Sequence, residues 1–133
     1  MALSHCLFTG VPTATSWTQS YVHAHDEVCF CVIVHTEGEE AATKGKHIIE
    51  VLISLTQAQN LTHDSFLHLF DSYTDESVSF VSGLCEGKDL TIFTKGTVGV
   101  WLSRETSKGM VTLGNGKGQY IQGKINDGDL YIF

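Results

Sequence analysis

The apolar positions of the chain change their period near residue 40. Residues 27–35, EVCFCVIVH, are apolar at consecutive positions and rich in β-branched and aromatic side chains, which is typical of a strand covered on both faces. From Glu40 to Gln57 the apolar residues recur at helical spacing, which predicts an amphipathic helix. The apolar stripe of this helix consists of Ala41, Gly45, Ile48, Ile49, Leu52 and Leu55.

A second helix is predicted directly after the first. Thr62 or Asp64 would cap its start, and its apolar stripe would consist of Phe66, Leu69, Phe70 and Tyr73. Two consecutive helices therefore follow the central strand.

Glycine-punctuated β structure is predicted from residue 78 to the last residue. Short apolar segments alternate with turn signals at Gly87, Gly114, Gly116 and Gly128, which favours antiparallel hairpins. The predicted strands are 78–85, 89–94, 98–104, 110–113, 118–125 and 129–133. The segment 114–118, GNGKG, resembles a phosphate-binding loop but lies between short strands, so we interpret it as a hairpin turn.

The first 26 residues are more polar than the apolar strand that follows them. Residues 1–20 contain Pro12 and many Ser and Thr, and predict at most a short strand around Cys6–Phe8 followed by a polar stretch. Residues 21–26 are interpreted as a polar loop. Trp17 is then either an exposed contact residue or packed over a sheet edge, whereas Trp101, inside an apolar strand, is expected in the core.

These elements predict an α+β fold in one domain spanning residues 1–133. The β structure is a largely antiparallel sheet or sandwich, and the two consecutive helices pack on one of its faces. We expect no linker, internal repeat or low-complexity segment.

Charge and hydropathy restrict the partners. The chain carries 15 acidic and 8 basic residues, a formal net charge of −7, and its Lys and Arg form no stripe, so we expect no nucleic-acid partner. No apolar run approaches the roughly 20 residues needed to span a bilayer. The N-terminus MALSHCLFTG lacks the features of a signal peptide, so we expect a cytoplasmic protein that does not interact with membranes.

The cysteines and histidines do not form a convincing catalytic or metal motif. His23, His25, Cys29 and Cys31 would share one face of a single strand, but His23 and Cys31 would lie roughly 26 Å apart at about 3.3 Å per residue, too far for a tetrahedral zinc site. We expect the thiols to be reduced and mostly buried. No Gly-x-Ser-x-Gly elbow supports a serine nucleophile.

Three segments resemble motifs of one enzyme family. They are the strand and turn FCVIV-HTEGE-EAA (30–42), the turn Gly96-Thr97-Val98, and Gly128-Asp129 before an apolar strand. Their order over residues 27–133 resembles metal-dependent protein Ser/Thr phosphatases of the 2C type, including bacterial sporulation phosphatases. The resemblance implies part of an αββα sandwich.

The same resemblance implies a site for two Mg²⁺ or Mn²⁺ ions held largely by aspartates, which activate a water for phosphoester hydrolysis. Here His35 occupies the place of the first aspartate, and Thr36 that of the following glycine. Glu37, Glu39, Glu40 and Asp26 offer a single-cation alternative, but acidic residues at a helix start are more simply explained by the helix dipole. We therefore predict no catalytic residue, no cofactor-binding residue and no metal ligand.

Three functions remain open. The leading hypothesis is a non-catalytic phosphatase-like domain that binds a protein partner or regulates a longer polypeptide. The alternative is a Mg- or Mn-dependent protein phosphatase whose remaining metal ligands lie beyond Phe133. The third is a self-assembling module, in which Val100, Leu102 and Tyr131 leave an apolar surface that an isologous homodimer covers.

Overall fold

The structure is a computed structural model. It describes residues 11–58, 62, 64, 65, 68, 76–96, 98–104, 109–114 and 119–133. The elements are β1 (Ser16–His25), β2 (Val28–Glu37), α1 (Ala41–Gln57), β3 (Val78–Glu86), β4 (Asp89–Lys95), β5 (Val100–Ser103), β6 (Met110–Gly114), β7 (Gln119–Lys124) and β8 (Leu130–Ile132). No helix within these described residues has the length and apolarity needed to cross a membrane.

The strands form two antiparallel sheets. The larger sheet has the order β1-β2-β3-β4-β7, and the smaller one has the order β6-β5-β8. The predicted α+β class is confirmed, as are the central strand, the first helix and the predicted strands from residue 78 onward, with shifts of a few residues at their ends.

Side chains alternate between the two faces of the larger sheet. On β3 every residue from Val78 to Cys85 is buried, so both faces of this strand are covered. Val78, Phe80 and Leu84 belong to one core cluster, while Val81 and Cys85 belong to the other. Because side-chain direction alternates along a strand, even-numbered positions of β3 face one layer and odd-numbered positions face the other.

The first layer is α1, which packs on β1 and β2. Its buried residues Ile48, Ile49 and Leu52 join Phe30, Val32 and Val34 of β2 in one cluster. Phe80 and Phe93 extend this cluster across the sheet with stacked rings 5.5 Å apart. Tyr21 also fixes the helix on β1, through a 2.7 Å hydrogen bond between its hydroxyl and the Thr56 hydroxyl.

The second layer is the smaller sheet, which packs on the opposite face of the larger one. Val100 of β5, with no exposed surface, lies in a cluster with Val81 and Ile92 of the larger sheet. Tyr131 and Phe133 pack against the same cluster. The described residues therefore form three layers in the order helix, five-stranded sheet, three-stranded sheet.

The N-terminal region was predicted incorrectly. Residues interpreted as a polar stretch and a polar loop form the ten-residue strand β1, paired with β2 over ten consecutive positions. The sequence SWTQSYVHAH lacks a strong apolar alternation, and Trp17 is its one buried residue; β1 is the terminal strand of the larger sheet as the described residues form it. Trp17 is buried against α1 with 7% of its surface exposed. The predicted short strand around Cys6–Phe8 lies outside the described residues.

The prediction of two helices is supported for one helix only. The described part of the chain contains α1, and most of the predicted second helix, including its whole apolar stripe, lies outside the described residues. Within that stretch the Thr62 hydroxyl accepts a 3.2 Å hydrogen bond from the Ser65 amide.

The prediction of which side chains of β5 and β8 face outward was wrong, because the inward and outward sets are exchanged. Trp101 was expected in the core, but 38% of its surface is exposed. Val100, expected on an exposed apolar face, is fully buried, and Leu102 and Tyr131 are only partly exposed. A strand with apolar residues at consecutive positions does not indicate which set faces inward, and here the outer set is Trp101, Leu130 and Ile132.

The predicted hairpin at residues 114–118 was also wrong. Gly114 ends β6 in the smaller sheet, and Gln119 begins β7 in the larger sheet. The segment therefore connects two sheets, although the structure does not describe residues 115–118.

The contact between Trp17 and Gly45 generates a stability prediction. A Cβ atom at position 45 would overlap the Trp17 indole ring, and this buried ring has little room to move. We expect Gly45→Ala to lower the free energy of unfolding by about 1–3 kcal/mol through overpacking. This loss outweighs the helix propensity of alanine, which favours a helix interior over glycine by about 1 kcal/mol. Urea unfolding followed by circular dichroism measures this.

The matched control is Thr43→Ala on the exposed face of the same helix. It introduces the same side chain without a buried neighbour, so its effect should be neutral or slightly stabilising. If Gly45→Ala stabilises as much as the control, the packing of Trp17 on this helix is wrong.

Candidate functional site

A row of polar side chains crosses one end of the larger sheet, on the face towards the smaller sheet. In the strand register, His35 of β2 lies opposite Thr18 of β1 on one side and Ser79 of β3 on the other. These three residues share a face because directly opposite residues in antiparallel strands point the same way. We call Thr18, His35 and Ser79 the polar row.

The His35 ring is held by hydrogen bonds at both nitrogens. Its Nδ1 lies 2.7 Å from the Thr18 hydroxyl oxygen, and its Nε2 lies 3.3 Å from Oε1 of Glu37. The His35 side chain is partly exposed, with 30% of its surface accessible, while Glu37 is mostly exposed. The hydroxyl, imidazole and carboxylate therefore form a continuous chain at the rim of the sheet.

The next position beyond Ser79 is Gly96, which follows β4. Gly96 has a φ of +84°, a conformation that favours glycine, and a Cβ there would overlap the Ser79 side chain. The fold thus brings His35 and Gly96, two positions of the resembling segments, to the same end of the sheet. Thr97, which follows Gly96 in the second resembling segment, lies outside the described residues.

Thr94 is a buried hydroxyl on the same face, two residues before Gly96. It has no exposed surface, and its Oγ1 has no hydrogen-bond partner within the described part of the structure. Buried hydroxyls usually have a partner, so Thr94 is an unusual polar position close to the polar row.

The carboxylates of the larger sheet lie mainly at its opposite end. Asp26 and Glu27 form the turn between β1 and β2, and Glu86 and Asp89 flank the turn between β3 and β4. Asp26 precedes His35 by nine residues, so along an extended strand the two are roughly 30 Å apart. The structure does not bring Asp26 to the predicted single-cation position.

Glu39 and Glu40 lie at the end of the larger sheet that holds His35, but both are exposed in the turn before α1. Glu40 is the N-cap residue of the helix, and its side chain makes no capping hydrogen bond. Among the described residues, no group of three His, Cys, Asp or Glu side chains is arranged to hold a metal ion.

Asp129, the aspartate of the third resembling segment, is engaged in a structural ion pair. Arg104 Nε and one terminal nitrogen donate to its two carboxylate oxygens, each at 2.7 Å. The Asn126 amide and the Tyr131 hydroxyl also donate to this carboxylate. Hydrogen bonding from Arg104 lowers the pKa of Asp129 to about 2. The carboxylate is buried and ties the start of β8 to the end of β5.

The histidines and cysteines considered for zinc lie on opposite faces. His23 pairs with Phe30 on the helix side, whereas Cys29 pairs with Ala24 on the side of the smaller sheet. Cys29, Cys31 and Cys85 are free thiols. Burial raises the pKa of Cys31 to about 12, with a further contribution from Cys29, so Cys31 is a protonated thiol at neutral pH.

Sequence reasoning missed two members of the polar row. Thr18 lies in the strand that was interpreted as a polar stretch, and Ser79 lies in an apolar strand where a single serine gives little signal. Both are revealed by the strand register, which places them beside His35.

Comparisons with known proteins identify the fold. No family model matches the sequence, and no curated protein matches it. The structure is similar to a solved structure of the PP2C phosphatase domain and a fragment of the regulatory domain of the cell fate determinant SpoIIE from Bacillus subtilis. The TM-score is 0.64 at 11% sequence identity, and the match covers 86% of this chain and 39% of that chain.

At this identity the likeness shows the fold alone. The chain has a PP2C-like fold, and it spans about two fifths (39%) of the length of the solved chain. The predicted resemblance to 2C-type phosphatases is thus supported at the level of architecture.

The ion pair at Asp129 predicts a pH dependence of stability. The pKa of Asp129 is about 2 in the folded chain, against an ordinary value of 3.8. A lowered folded-state pKa adds stability above the ordinary value, and that stability is lost as pH falls from about 4 to about 2. We expect Asp129→Asn to lower the melting temperature at neutral pH and to flatten its decline over this acidic range.

Asp127→Asn is the matched control, because Asp127 is exposed in the same turn. Thermal unfolding at a series of pH values measures both variants. If the melting temperatures of the wild type and of Asp129→Asn fell in parallel as the pH is lowered, a structural role for the ion pair would be contradicted.

Proposed function

We propose that this chain is a phosphatase-like domain that does not carry out two-metal phosphoester hydrolysis and that acts by binding another protein. The observation that carries this proposal is the state of His35. At the strand end where the resemblance implies a metal-binding aspartate, a histidine ring hydrogen-bonds on one side to Thr18 and on the other to Glu37.

The donor set that the described residues supply at this end does not suit a pair of Mg²⁺ or Mn²⁺ ions. Such hard cations prefer several carboxylate or carbonyl oxygens, and two of them need negative charge to offset their own. The polar row supplies two hydroxyls and an imidazole, and Glu37 is the carboxylate in contact with it. The buried Asp129 carboxylate is already occupied by Arg104.

The binding part of the proposal is supported by the outer face of the smaller sheet. Trp101 lies opposite Ile132 on this face, and Leu130 lies opposite Ser103. Ile132 is 41% exposed and Leu130 57% exposed. Contiguous apolar groups on a surface mark interaction sites, and tryptophan is enriched among residues that dominate binding energy.

An enzyme assay tests the catalytic part. We expect no hydrolysis of p-nitrophenyl phosphate or of a phosphothreonine peptide above the buffer rate with Mn²⁺ or Mg²⁺, because the described residues do not supply a two-metal donor set. Isothermal titration with MnCl₂ should show no saturable binding.

Glu37→Gln is the matched variant, since it removes the carboxylate at the polar row while keeping its size. Metal-dependent hydrolysis by the wild type that this variant abolishes would overturn the proposal in favour of a phosphatase.

A dye-binding experiment tests the exposed apolar face. We expect the wild type to enhance the fluorescence of 1-anilinonaphthalene-8-sulfonate, and the double variant Trp101→Ser, Ile132→Ser to reduce that enhancement by about half or more, because the apolar contact area is removed. Val11→Ser is the control, because Val11 is 90% exposed and precedes β1, outside the smaller sheet. Equal dye binding by all three proteins would show that this face is not available.

A further inference from the structure

Two free thiols lie directly opposite each other on the central strands of the larger sheet. In the register of β2 with β3, Cys29 pairs with Cys85, and neither is bonded to another cysteine. Directly opposite residues of an antiparallel pair point to the same face. Cys85 lies in the apolar cluster between the two sheets, and Cys29 packs against that cluster. The two side chains are therefore neighbours in one layer of the fold.

A backbone hydrogen bond beside this pair defines its geometry. The Glu27 carbonyl accepts from the Gly87 amide at 2.9 Å, so these two residues are joined across the strands. Hydrogen-bonded pairs recur at every second position of an antiparallel ladder, which makes Cys29 and Cys85 a hydrogen-bonded pair. Their Cα atoms are then about 5.5 Å apart, within the range of about 4.4–6.8 Å found in disulfides.

The separation of the Cβ atoms would make a disulfide at this position strained. Cβ atoms of opposite residues lie about 4.5–5.5 Å apart, and the larger values belong to hydrogen-bonded pairs. A disulfide needs a Cβ separation of about 3.5–4.5 Å, so the two strands must approach each other locally by roughly 1 Å. Strain of this kind makes a disulfide easier to reduce, and easily reduced disulfides are the regulatory ones rather than the permanent structural ones.

We propose that Cys29 and Cys85 form a reversible disulfide by exchange with glutathione disulfide. Cys29 attacks one sulfur of the oxidant, which forms a mixed disulfide and releases one glutathione. Cys85 then attacks the Cys29 sulfur, which closes the protein disulfide and releases the second glutathione. Two protein thiols are oxidised, one glutathione disulfide is reduced, and the two protons of the protein thiols end on the two glutathione thiols. This inference does not depend on the proposed function.

Exposure determines which thiol reacts first. Cys29 is partly exposed, whereas only 4% of the Cys85 surface is accessible, so a small disulfide in solvent reaches Cys29. Burial raises the pKa of both thiols, and the charge of Cys29 raises that of Cys85 further. Because the thiolate is the nucleophile, the exchange is slow at neutral pH. The pair therefore responds to the prevailing balance of thiols and disulfides rather than to a brief pulse of oxidant.

Cys31 lies on the same strand and face but has no thiol opposite it. Its partner across the strands is Gly83, and the space over this glycine is taken by the Phe133 ring and the Cys31 sulfur. Burial raises the pKa of Cys31 to about 12, which leaves almost no thiolate to react. Cys31 is therefore a matched control for the pair.

Oxidation would change the turn between β3 and β4 as well as the pair itself. The Cys85 thiol donates a hydrogen bond to the Gly87 carbonyl at 3.2 Å, and a disulfide has no proton to donate. The new bond would also join β2 to β3 covalently near the end of the sheet opposite His35. The redox state of the pair thus affects both the strand pairing and the turn.

Mass spectrometry of the whole chain after incubation with glutathione disulfide tests the proposal. We expect the wild type to lose two hydrogen atoms without a lasting glutathione adduct, and to regain them in excess reduced glutathione. Peptide mapping should place the bond between residues 29 and 85. Cys29→Ala should form no such bond, whereas Cys85→Ala should stop at a glutathione adduct on Cys29, because the second thiol is missing.

Two further variants serve as controls. Cys31→Ala and Cys6→Ala should form the bond to the same extent as the wild type, and the first also makes the assignment to Cys29 unambiguous. Circular dichroism confirms that each variant is folded. Mapping of the wild type remains decisive if Cys85→Ala does not fold, because it needs no substitution.

Three results would overturn the proposal. The first is a wild type that keeps all four thiols or stops at a glutathione adduct on Cys29. The second is a bond that maps to Cys6 or Cys31. The third is a disulfide that excess reduced glutathione leaves intact, because the bond would then be a permanent one.

Discussion

The burial of β3 on both faces is the constraint on which the rest of the structure depends. Eight consecutive residues of this strand are buried, so each side chain belongs either to the layer of α1 or to the layer of the smaller sheet. A shift of one residue in the pairing of β2 with β3 would exchange the two sets and place Phe80 against the wrong layer. The position of His35 follows from the same alternation, because it shares its face with Cys29, Cys31 and Ile33.

The polar row supplies protein partners for both nitrogens of its histidine ring. A partly buried imidazole needs partners for its polar atoms, and Thr18 and Glu37 provide one for each ring nitrogen. Thr18 belongs to the edge strand and Glu37 to the end of β2, so the same hydrogen bonds connect two strands at the rim. The PP2C-like architecture is built from apolar layers, in which α1 and the smaller sheet pack on opposite faces of the larger sheet.

The sequence predicted those parts of the fold in which a single local pattern controls the outcome. The periodicity of α1 and the apolar runs of β2, β3 and β4 identified these elements correctly, because burial on one helical face or on both strand faces leaves a direct signal. Prediction from the sequence failed where an element's position depends on the strand or layer packed beside it. Strand β1 gives little apolar signal, and its strand conformation is evident from its ten-position pairing with β2. Trp101 was assigned to the core because both faces of β5 carry apolar residues. For the site, His35 was found from its position at a strand end, while Thr18 and Ser79 required the register.

The exposed apolar face of the smaller sheet follows from the strand register. The outer face of the smaller sheet presents Trp101, Leu130 and Ile132, and apolar contact of this kind has little directional preference. The register of β5 with β8 determines which residues form this face, because it places Trp101 beside Ile132 on the outside while Tyr131 packs inward. The polar row lies on the larger sheet, on the face towards the smaller sheet, so the two features belong to different layers of the fold.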